Sequence, residues 1–168
     1  MLNAQKIIDI FGLKPLCNEG GFYAETYRSE NLISKSLLPK SYDSDRCLNT
    51  AIYYLLTPNT HSAIHRLPSN EIYHFYLGDT VEILLLSPDG EGKIIRLGHD
   101  IINGEQVQVI VPNGTWQGSY LLEGGKFALM GTTMAPGFDF KDYESAPIKK
   151  LKKIYPRFED IINRLSHH

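Results

Sequence analysis

The amino-acid sequence predicts an all-β fold, an antiparallel sandwich or barrel that carries a short helix at each end. Nine short segments rich in β-branched and aromatic residues follow one another through the middle of the chain, which is typical of strands. Turn sequences such as Pro88-Asp89-Gly90 and Pro112-Asn113-Gly114 separate these segments at intervals of about 8–12 residues, as in sandwiches and barrels. Apolar residues at helical spacing occur only towards the two termini.

The individual elements follow from these patterns in chain order. Asn3 is a suitable N-cap for a helix over residues 3–12. The polar residues 31–46 lack a clear period and are expected to form a long loop. Pro156 is expected to open the second part of a helical region over residues 148–166. The predicted strands are 22–28, 48–56, 63–67, 71–77, 81–86, 93–97, 106–111, 117–122 and 126–133.

Length and composition exclude several classes of protein. A chain of 168 residues fits one domain over 1–168, with the barrel over roughly residues 20–145. The 17 Lys and Arg residues and 19 Asp and Glu residues give a net charge of −2, so we expect neither nucleic acid nor a membrane surface as a partner. No secretion signal is recognisable, and Cys17 and Cys47 are expected to be free thiols. These features predict a cytoplasmic protein.

Residues 61–78 place polar side chains among apolar ones on two neighbouring strands. Because side chains alternate between the two faces of a strand, His65 shares its face with apolar residues, and Glu71 shares a face with Tyr73 and Phe75. An imidazole and a carboxylate inside a barrel are costly unless they are paired, hydrogen-bonded or bound to a metal. His65 and Glu71 are therefore candidate functional residues.

A third strand adds an amide to the same predicted cluster. Gln117, Ser119 and Leu121 share one face of the strand that follows the turn at Pro112. If Leu121 faces the barrel interior, Gln117 and Ser119 face it too. The alternation alone thus predicts a polar cluster of His65, Glu71 and Gln117 in a barrel mouth.

The spacing of these residues resembles the two sequence motifs of the cupin superfamily. The residues that match are His65, Glu71, Gly78, Pro112 and Gly114. Leu67 stands where the first motif has its second histidine, and Gln117 stands where the second motif has its histidine.

A wider resemblance covers nearly the whole chain. The matching segments are EGGFYAETYRS (19–29), TAIYYLL (50–56), HRLPSNEIYHFYLGD (65–79), LGHD (97–100), VPNGTWQGS (111–119) and APGFDFKDYE (135–144). They are similar to an uncharacterised cupin family, a domain of unknown function without an established reaction. The resemblance implies a double-stranded β-helix, or jelly-roll barrel, that forms a homodimer and is structurally close to dTDP-sugar 3,5-epimerases and seed storage globulins.

The first functional hypothesis is a divalent metal held by His65, Glu71 and Gln117. The resemblance implies a site of three imidazoles and one carboxylate, which suits Fe, Mn, Ni or Zn. Because Leu67 and Gln117 replace two of those imidazoles, we expect any metal to bind weakly, and the sequence assigns no definite cofactor.

The second hypothesis is metal-independent epimerase or isomerase chemistry on a carbohydrate-like or sugar-nucleotide-like ligand. The resemblance to dTDP-sugar epimerases implies a histidine base and a tyrosine acid. His65 would be the base, since imidazole is suited to proton transfer at neutral pH, and Tyr73 would be the proton donor. Arg28 or Arg66 would hold a phosphate or carboxylate of the ligand.

The third hypothesis is a binding module that holds a small molecule without converting it. Tyr73, Phe75, Trp116 and Phe138 would line such a pocket, because aromatic walls with a few polar groups are typical of ligand sites. The segment 137–143 is expected either to cover a sheet edge and contact a partner in the dimer, the interpretation we favour, or to form a lid. A non-catalytic storage or interaction protein is the alternative from another functional class.

Overall fold

Two antiparallel sheets form the body of the computed structural model, which describes residues 2–166. Met1, His167 and His168, at the ends of the predicted domain, lie outside the described residues. The strands are β1 (Lys14–Pro15), β2 (Phe22–Arg28), β3 (Leu32–Ile33), β4 (Arg46–Cys47), β5 (Thr50–Leu56), β6 (His61–Arg66), β7 (Glu71–Gly78), β8 (Val81–Leu86), β9 (Gly92–Leu97), β10 (Gln108–Val111), β11 (Trp116–Leu121), β12 (Ala128–Met134) and β13 (Glu144–Ser145). The helices are α1 (Ala4–Phe11), α2 (Ile148–Ile154) and α3 (Glu159–Arg164).

The strand order interleaves the two halves of the chain. One sheet has the order β1-β2-β5-β12-β7-β10 and the other has the order β13-β6-β11-β8-β9. The small strands β3 and β4 pair with each other, so the stretch predicted as a long loop over 31–46 is joined to itself near both ends, and we call it the tied loop. The predicted all-β fold with short terminal helices is confirmed.

The C-terminal region differs from the prediction of one helical region over 148–166. Two α-helices and a 3-10 turn over Pro156–Phe158 occupy it instead. Tyr155, which precedes the proline, adopts φ −121° and ψ 61°, outside the helical region. Proline lacks an amide proton and disfavours helical backbone in the residue before it, so α2 ends there.

Three apolar clusters cover both faces of the sheets. The barrel interior is filled from both sheets, with Tyr54, Tyr73, Ile83 and Met130 at most 2% exposed. A second cluster joins the outer face of β6, β8 and β11 to α2 and α3, and a third joins the outer face of β5 and β12 to α1. No helix among residues 2–166 combines the length and the hydrophobicity that a membrane span requires.

Candidate functional site

A cavity of about 220 Å³ opens on the inner face of the six-stranded sheet at one end of the barrel. Charged side chains from three places in the chain line it: Glu19 from the turn after β1, Glu25 and Arg28 from β2, and Glu71 from the start of β7. The aromatic rings in its walls are Tyr23, Phe138, Phe140 and Tyr143. This open end of the barrel, which we call the mouth, therefore combines charged and aromatic side chains.

Glu19 is held against the beginning of β6. Its backbone oxygen accepts a hydrogen bond from the amide of Ala63 at 2.8 Å, and its Oε1 accepts one from the Ser62 hydroxyl at 2.6 Å. The chain can approach so closely because Gly20 has φ +103°, and a Cβ atom at Gly20 would lie 2.1 Å from the carbonyl oxygen of His61. Tight packing of this turn thus fixes the carboxylate at the cavity.

His65 lies behind Glu19 and is 1% exposed. Its Nδ1 is 2.9 Å from the carbonyl oxygen of Ala63. A carbonyl can only accept, so Nδ1 carries the proton, and in the neutral ring the lone pair sits on Nε2. Nε2 is 3.9 Å from Glu19 Oε2, and the imidazole stacks on the Tyr143 ring with centroids 4.9 Å apart. The free nitrogen of the ring therefore faces a carboxylate of the cavity wall.

Glu71 is a buried carboxylate that keeps one oxygen paired with an amide. Gln117 Nε2 donates to Glu71 Oε2 at 2.7 Å. Burial raises the pKa of Glu71, and the nearby charge of Glu19 raises it further, whereas His65 and the hydrogen bonds from Thr132 and Gln117 act in the opposite direction. Glu71 therefore holds a proton more readily than an exposed glutamate.

Two polar atoms on the inner face of β11 lack a hydrogen-bond partner within residues 2–166. They are Gln117 Oε1 and Ser119 Oγ, in side chains that are 1% and 0% exposed. Burying a polar atom unpaired costs about 1–3 kcal/mol. Both residues sit on the face that also carries Leu121 into the barrel core.

Tyr73, the candidate proton donor, lies in the apolar interior next to this cluster. It is 2% exposed and packs with Tyr54 and Met130. Burial raises the pKa of Tyr73 well above its usual value, and the charge of Glu71 adds to this rise. Its hydroxyl thus stays protonated at neutral pH.

The segment 137–143 covers the cavity and is fastened on several sides. Arg28 Nη1 donates to the Phe138 carbonyl at 3.1 Å, and the Phe138 amide donates to Thr50 Oγ1 at 3.0 Å. The hydroxyl of Tyr143 donates to the Asn18 carbonyl at 2.9 Å. Phe138 and Phe140 meet edge to face at 5.1 Å. The rings of this segment are thereby fixed above the mouth.

A buried ion pair anchors the same segment to the tied loop. Arg46 donates to both oxygens of Asp142, at 2.8 Å and 2.5 Å, and the side chains are 2% and 6% exposed. Arg46 also reaches Asp43 at 3.0 Å. A bidentate pair of this kind is geometrically specific, so the loop and the segment above the cavity form one unit.

The structure brings the three residues of the predicted cluster together. Gln117 and His65 are register partners on β11 and β6, and Gln117 bonds to Glu71 across the two sheets. Glu71 lines the cavity, whereas the imidazole and the amide lie directly behind that wall. The prediction of a shared cluster thus agrees with the geometry.

Other candidate ligand residues lie elsewhere. Trp116 packs on the outer face of β11 against the C-terminal helices, because it is adjacent to inward-facing Gln117 and strand neighbours point to opposite faces. Arg66 likewise points outward, pairs with Glu144 and lies 4.5 Å from the centroid of the Trp116 ring. Phe75 faces inward but belongs to the far apolar part of the barrel, edge to face with His99. These three placements correct the expectation that they contact a ligand in the mouth.

Two residues that define the site were missed. Glu19 and Tyr143 both lie outside the long strands, where alternation gives no indication of direction. The pair Gly20-Gly21 directly after Glu19 was an available signal, because consecutive glycines often mark a close backbone approach.

The donor set was tested against a divalent metal. The predicted set offers one imidazole, one carboxylate and one amide oxygen, and Glu71 already accepts a hydrogen bond from Gln117 Nε2. Glu19 adds a second carboxylate, 3.9 Å from His65 Nε2, but no further nitrogen or sulfur donor. Within residues 2–166, no group of three or more His, Cys, Asp and Glu side chains has the arrangement of a metal site. Transition metals favour several nitrogen or sulfur donors, so this set does not fit a tightly bound one.

Sequence comparison identifies the family. The model of the cupin superfamily family of unknown function DUF985 matches residues 5–146. The chain belongs to this family. An uncharacterised protein of Saccharomyces cerevisiae is 35% identical over 133 residues, which span 74% of this chain and 66% of the yeast protein, just under two thirds of its length.

Solved structures agree with this assignment. A protein from Shewanella oneidensis is 35% identical, covers 99% of both chains and has a TM-score of 0.86. An oxalate decarboxylase mutant from Bacillus subtilis is 15% identical, with a TM-score of 0.51 over 88% of this cupin and 36% of that chain. At such low identity the second likeness concerns the fold alone. The predicted cupin jelly roll is confirmed.

Proposed function

We propose that this cupin binds a small polar ligand of the carbohydrate class in the mouth of its barrel. The observation that carries the proposal is the cavity itself, where buried Glu71 and fixed Glu19 lie among four aromatic rings. Carboxylates accept hydrogen bonds from hydroxyl groups, and aromatic faces pack against the apolar faces of sugar rings. Concave sites that combine apolar walls with a few placed polar groups are typical of ligand binding.

The size and charge of the cavity restrict the class of ligand that it can hold. Its volume of about 220 Å³ lies below the roughly 300–1,000 Å³ usual for larger ligands, which favours a single sugar over a sugar nucleotide. Arg28, the cation in the described wall, already bonds to Glu25, Phe138 and Cys47. A phosphate would have to compete with those partners.

The cluster behind the wall supports proton transfer on such a ligand. A proton from a carbon next to a carbonyl would pass by way of Glu19 to Nε2 of His65, and the electron pair of the C–H bond would form an enediolate. The imidazolium would be stabilised by Glu19, 3.9 Å away. Return of the proton to the neighbouring carbon, while the hydroxyl proton of the first carbon moves to the former carbonyl oxygen, completes an isomerisation. Delivery of a proton to the other face of the first carbon completes an epimerisation, and neither reaction needs an oxidant.

Binding and turnover are tested separately. A panel of free sugars, sugar acids and sugar nucleotides is screened for thermal stabilisation, which rises with ligand concentration as RT ln(1 + [L]/Kd). We expect stabilisation by at least one free sugar in the wild type and in Arg66→Gln, whose side chain lies outside the barrel. Stabilisation by no sugar, or an equal response after Phe138→Ala, contradicts binding in the mouth.

Turnover is followed by exchange of ligand protons in heavy water, measured by nuclear magnetic resonance. His65→Gln is expected to abolish exchange next to the carbonyl while thermal stabilisation persists. Metal content of untagged protein is measured alongside. Stoichiometric metal that disappears in Glu71→Gln would favour a metal-dependent enzyme instead.

A further inference from the structure

The charges in the mouth do not balance. Three carboxylates among the described wall residues, Glu19, Glu25 and Glu71, face one guanidinium. Arg28 is bound to Glu25 by three contacts of 2.7–3.2 Å, so these two charges cancel. Beside the two remaining carboxylates lies His65, behind Glu19, whose imidazole carries a positive charge only when it is protonated.

This imbalance of charge bears on the kind of ligand that fits. The carboxylates of Glu19 and Glu71 carry two negative charges when both are ionised, and the imidazole of His65 can offset only one of them. A charge removed from water is expensive unless a partner compensates it. A cation in the cavity would compensate the remaining charge, whereas an anion would add to it.

The aromatic rings in the walls of the cavity also favour a cationic ligand. The rings of Tyr23, Phe138, Phe140 and Tyr143 lie in the walls of the same cavity as the carboxylates. The face of an aromatic ring attracts a cation, most strongly where water is excluded. Aromatic rings combined with carboxylates are suited to an ammonium group, whereas rings alone would suit a neutral sugar equally well.

An unpaired acceptor behind the wall is consistent with a ligand rich in donors. Gln117 Oε1 has no partner within the described part of the chain, and an amide oxygen can only accept. The same side chain is bonded through Nε2 to Glu71, which lines the cavity. A protonated amine or a water molecule that it orders could satisfy this oxygen.

We propose that the ligand of this mouth carries a protonated amino group, and that Glu19 and Glu71 select an amino sugar over the neutral sugar of the same shape. The inference rests on the proposed function, since it specifies the ligand of the same cavity. It excludes sugar phosphates as preferred ligands.

The test uses matched sugars in isothermal titration calorimetry at neutral pH. Glucosamine, glucose, N-acetylglucosamine and glucose 6-phosphate are compared, together with the same series built on galactose and mannose. In at least one series the amino sugar is expected to bind about tenfold or more tightly than its neutral counterparts, a difference of about 1.4 kcal/mol. Added salt should reduce that preference, because part of it is electrostatic.

Two variants assign the preference to the carboxylates. We expect each of two variants, Glu19→Gln and Glu71→Gln, to lower the preference for the amino sugar over the neutral sugar to about threefold or less. Neutral sugars should still bind to both variants. Glu123→Gln, which removes an exposed carboxylate outside the cavity, should leave it unchanged. Circular dichroism and the thermal transition establish that each variant is folded.

The outcomes separate the two proposals. Equal binding of amino and neutral sugars overturns the proposed selection for an amino group but leaves the proposed carbohydrate binding intact. No binding by any sugar overturns both. Binding of a simple amine such as ethanolamine without any sugar retains the ammonium site and rejects the carbohydrate class.

Discussion

The two ends of the barrel interior are built by the same strands from opposite kinds of side chain. On β7, Glu71 faces the mouth and Phe75 faces the far end, and on β11 Gln117 and Leu121 divide in the same way. All four side chains point inward and are at most 7% exposed. The far end therefore stabilises the fold through apolar burial, whereas the mouth keeps polar groups buried at a cost to stability.

The largest effect is expected from a substitution at the far end. Leu97 is 0% exposed and packs in the barrel core. Leu97→Ala removes apolar contacts and leaves a cavity, so the free energy of unfolding should fall by about 2–5 kcal/mol. Chemical denaturation measures this change.

The matched control is Leu37→Ala, because Leu37 is 79% exposed on the tied loop. Its free energy of unfolding is expected to stay within about 0.5 kcal/mol of the wild type. If the two substitutions had equal effects, the far end would not be the stabilising half of the barrel.

Alternation along strands explains how much of this contrast was predictable. The alternation of side chains along strands predicts the inward direction of His65, Glu71 and Gln117 from the sequence alone. The aromatic character of Trp116 predicts a place in the pocket, but its position next to Gln117 on the strand directs it to the opposite face, where the structure places it. Residue direction was therefore a better guide than residue type.

Loops account for what could not be predicted. Glu19 meets Ser62 and His65 across 43 or more positions of the chain, and Tyr143 stacks on His65 from the segment above the mouth. No local periodicity specifies such contacts, because they depend on how turns fold back on the barrel. The polar cluster was therefore predictable, whereas its cavity wall was not.

A smaller effect, a gain in stability instead of a loss, is expected from the substitution Glu71→Gln in the mouth. The pKa of Glu71 is raised in the folded protein, first by burial and then by Glu19, so the folded state holds this proton more tightly than the unfolded chain. The associated stability is complete below the unfolded pKa and is lost as pH rises through the folded pKa. Glu71→Gln cannot ionise and keeps an oxygen that accepts from Gln117. Its melting temperature should therefore equal that of the wild type at acidic pH and exceed it at neutral pH.

Melting temperatures recorded from acidic to neutral pH measure this difference. Glu123→Gln, at an exposed position, is expected to follow the wild type throughout. A wild type that gains stability over Glu71→Gln as pH rises would show that Glu71 is stabilised as the charged form, and the contrast between the two ends would then fail.

The smallest effect is expected just outside the mouth, at the residue next to His65. Arg66 pairs with Glu144 at 2.6 Å, and both side chains are largely solvent-accessible, at 40% and 52% exposure. Exposed pairs contribute about 0.2–1 kcal/mol because water and salt screen them, and the contact with the Trp116 ring adds a similar amount. Arg66→Gln should lower the free energy of unfolding by at most about 2 kcal/mol and leave sugar affinity unchanged. Loss of sugar binding in this variant, with the fold intact, would place the ligand on the outer face of β6 rather than in the mouth beside Glu19.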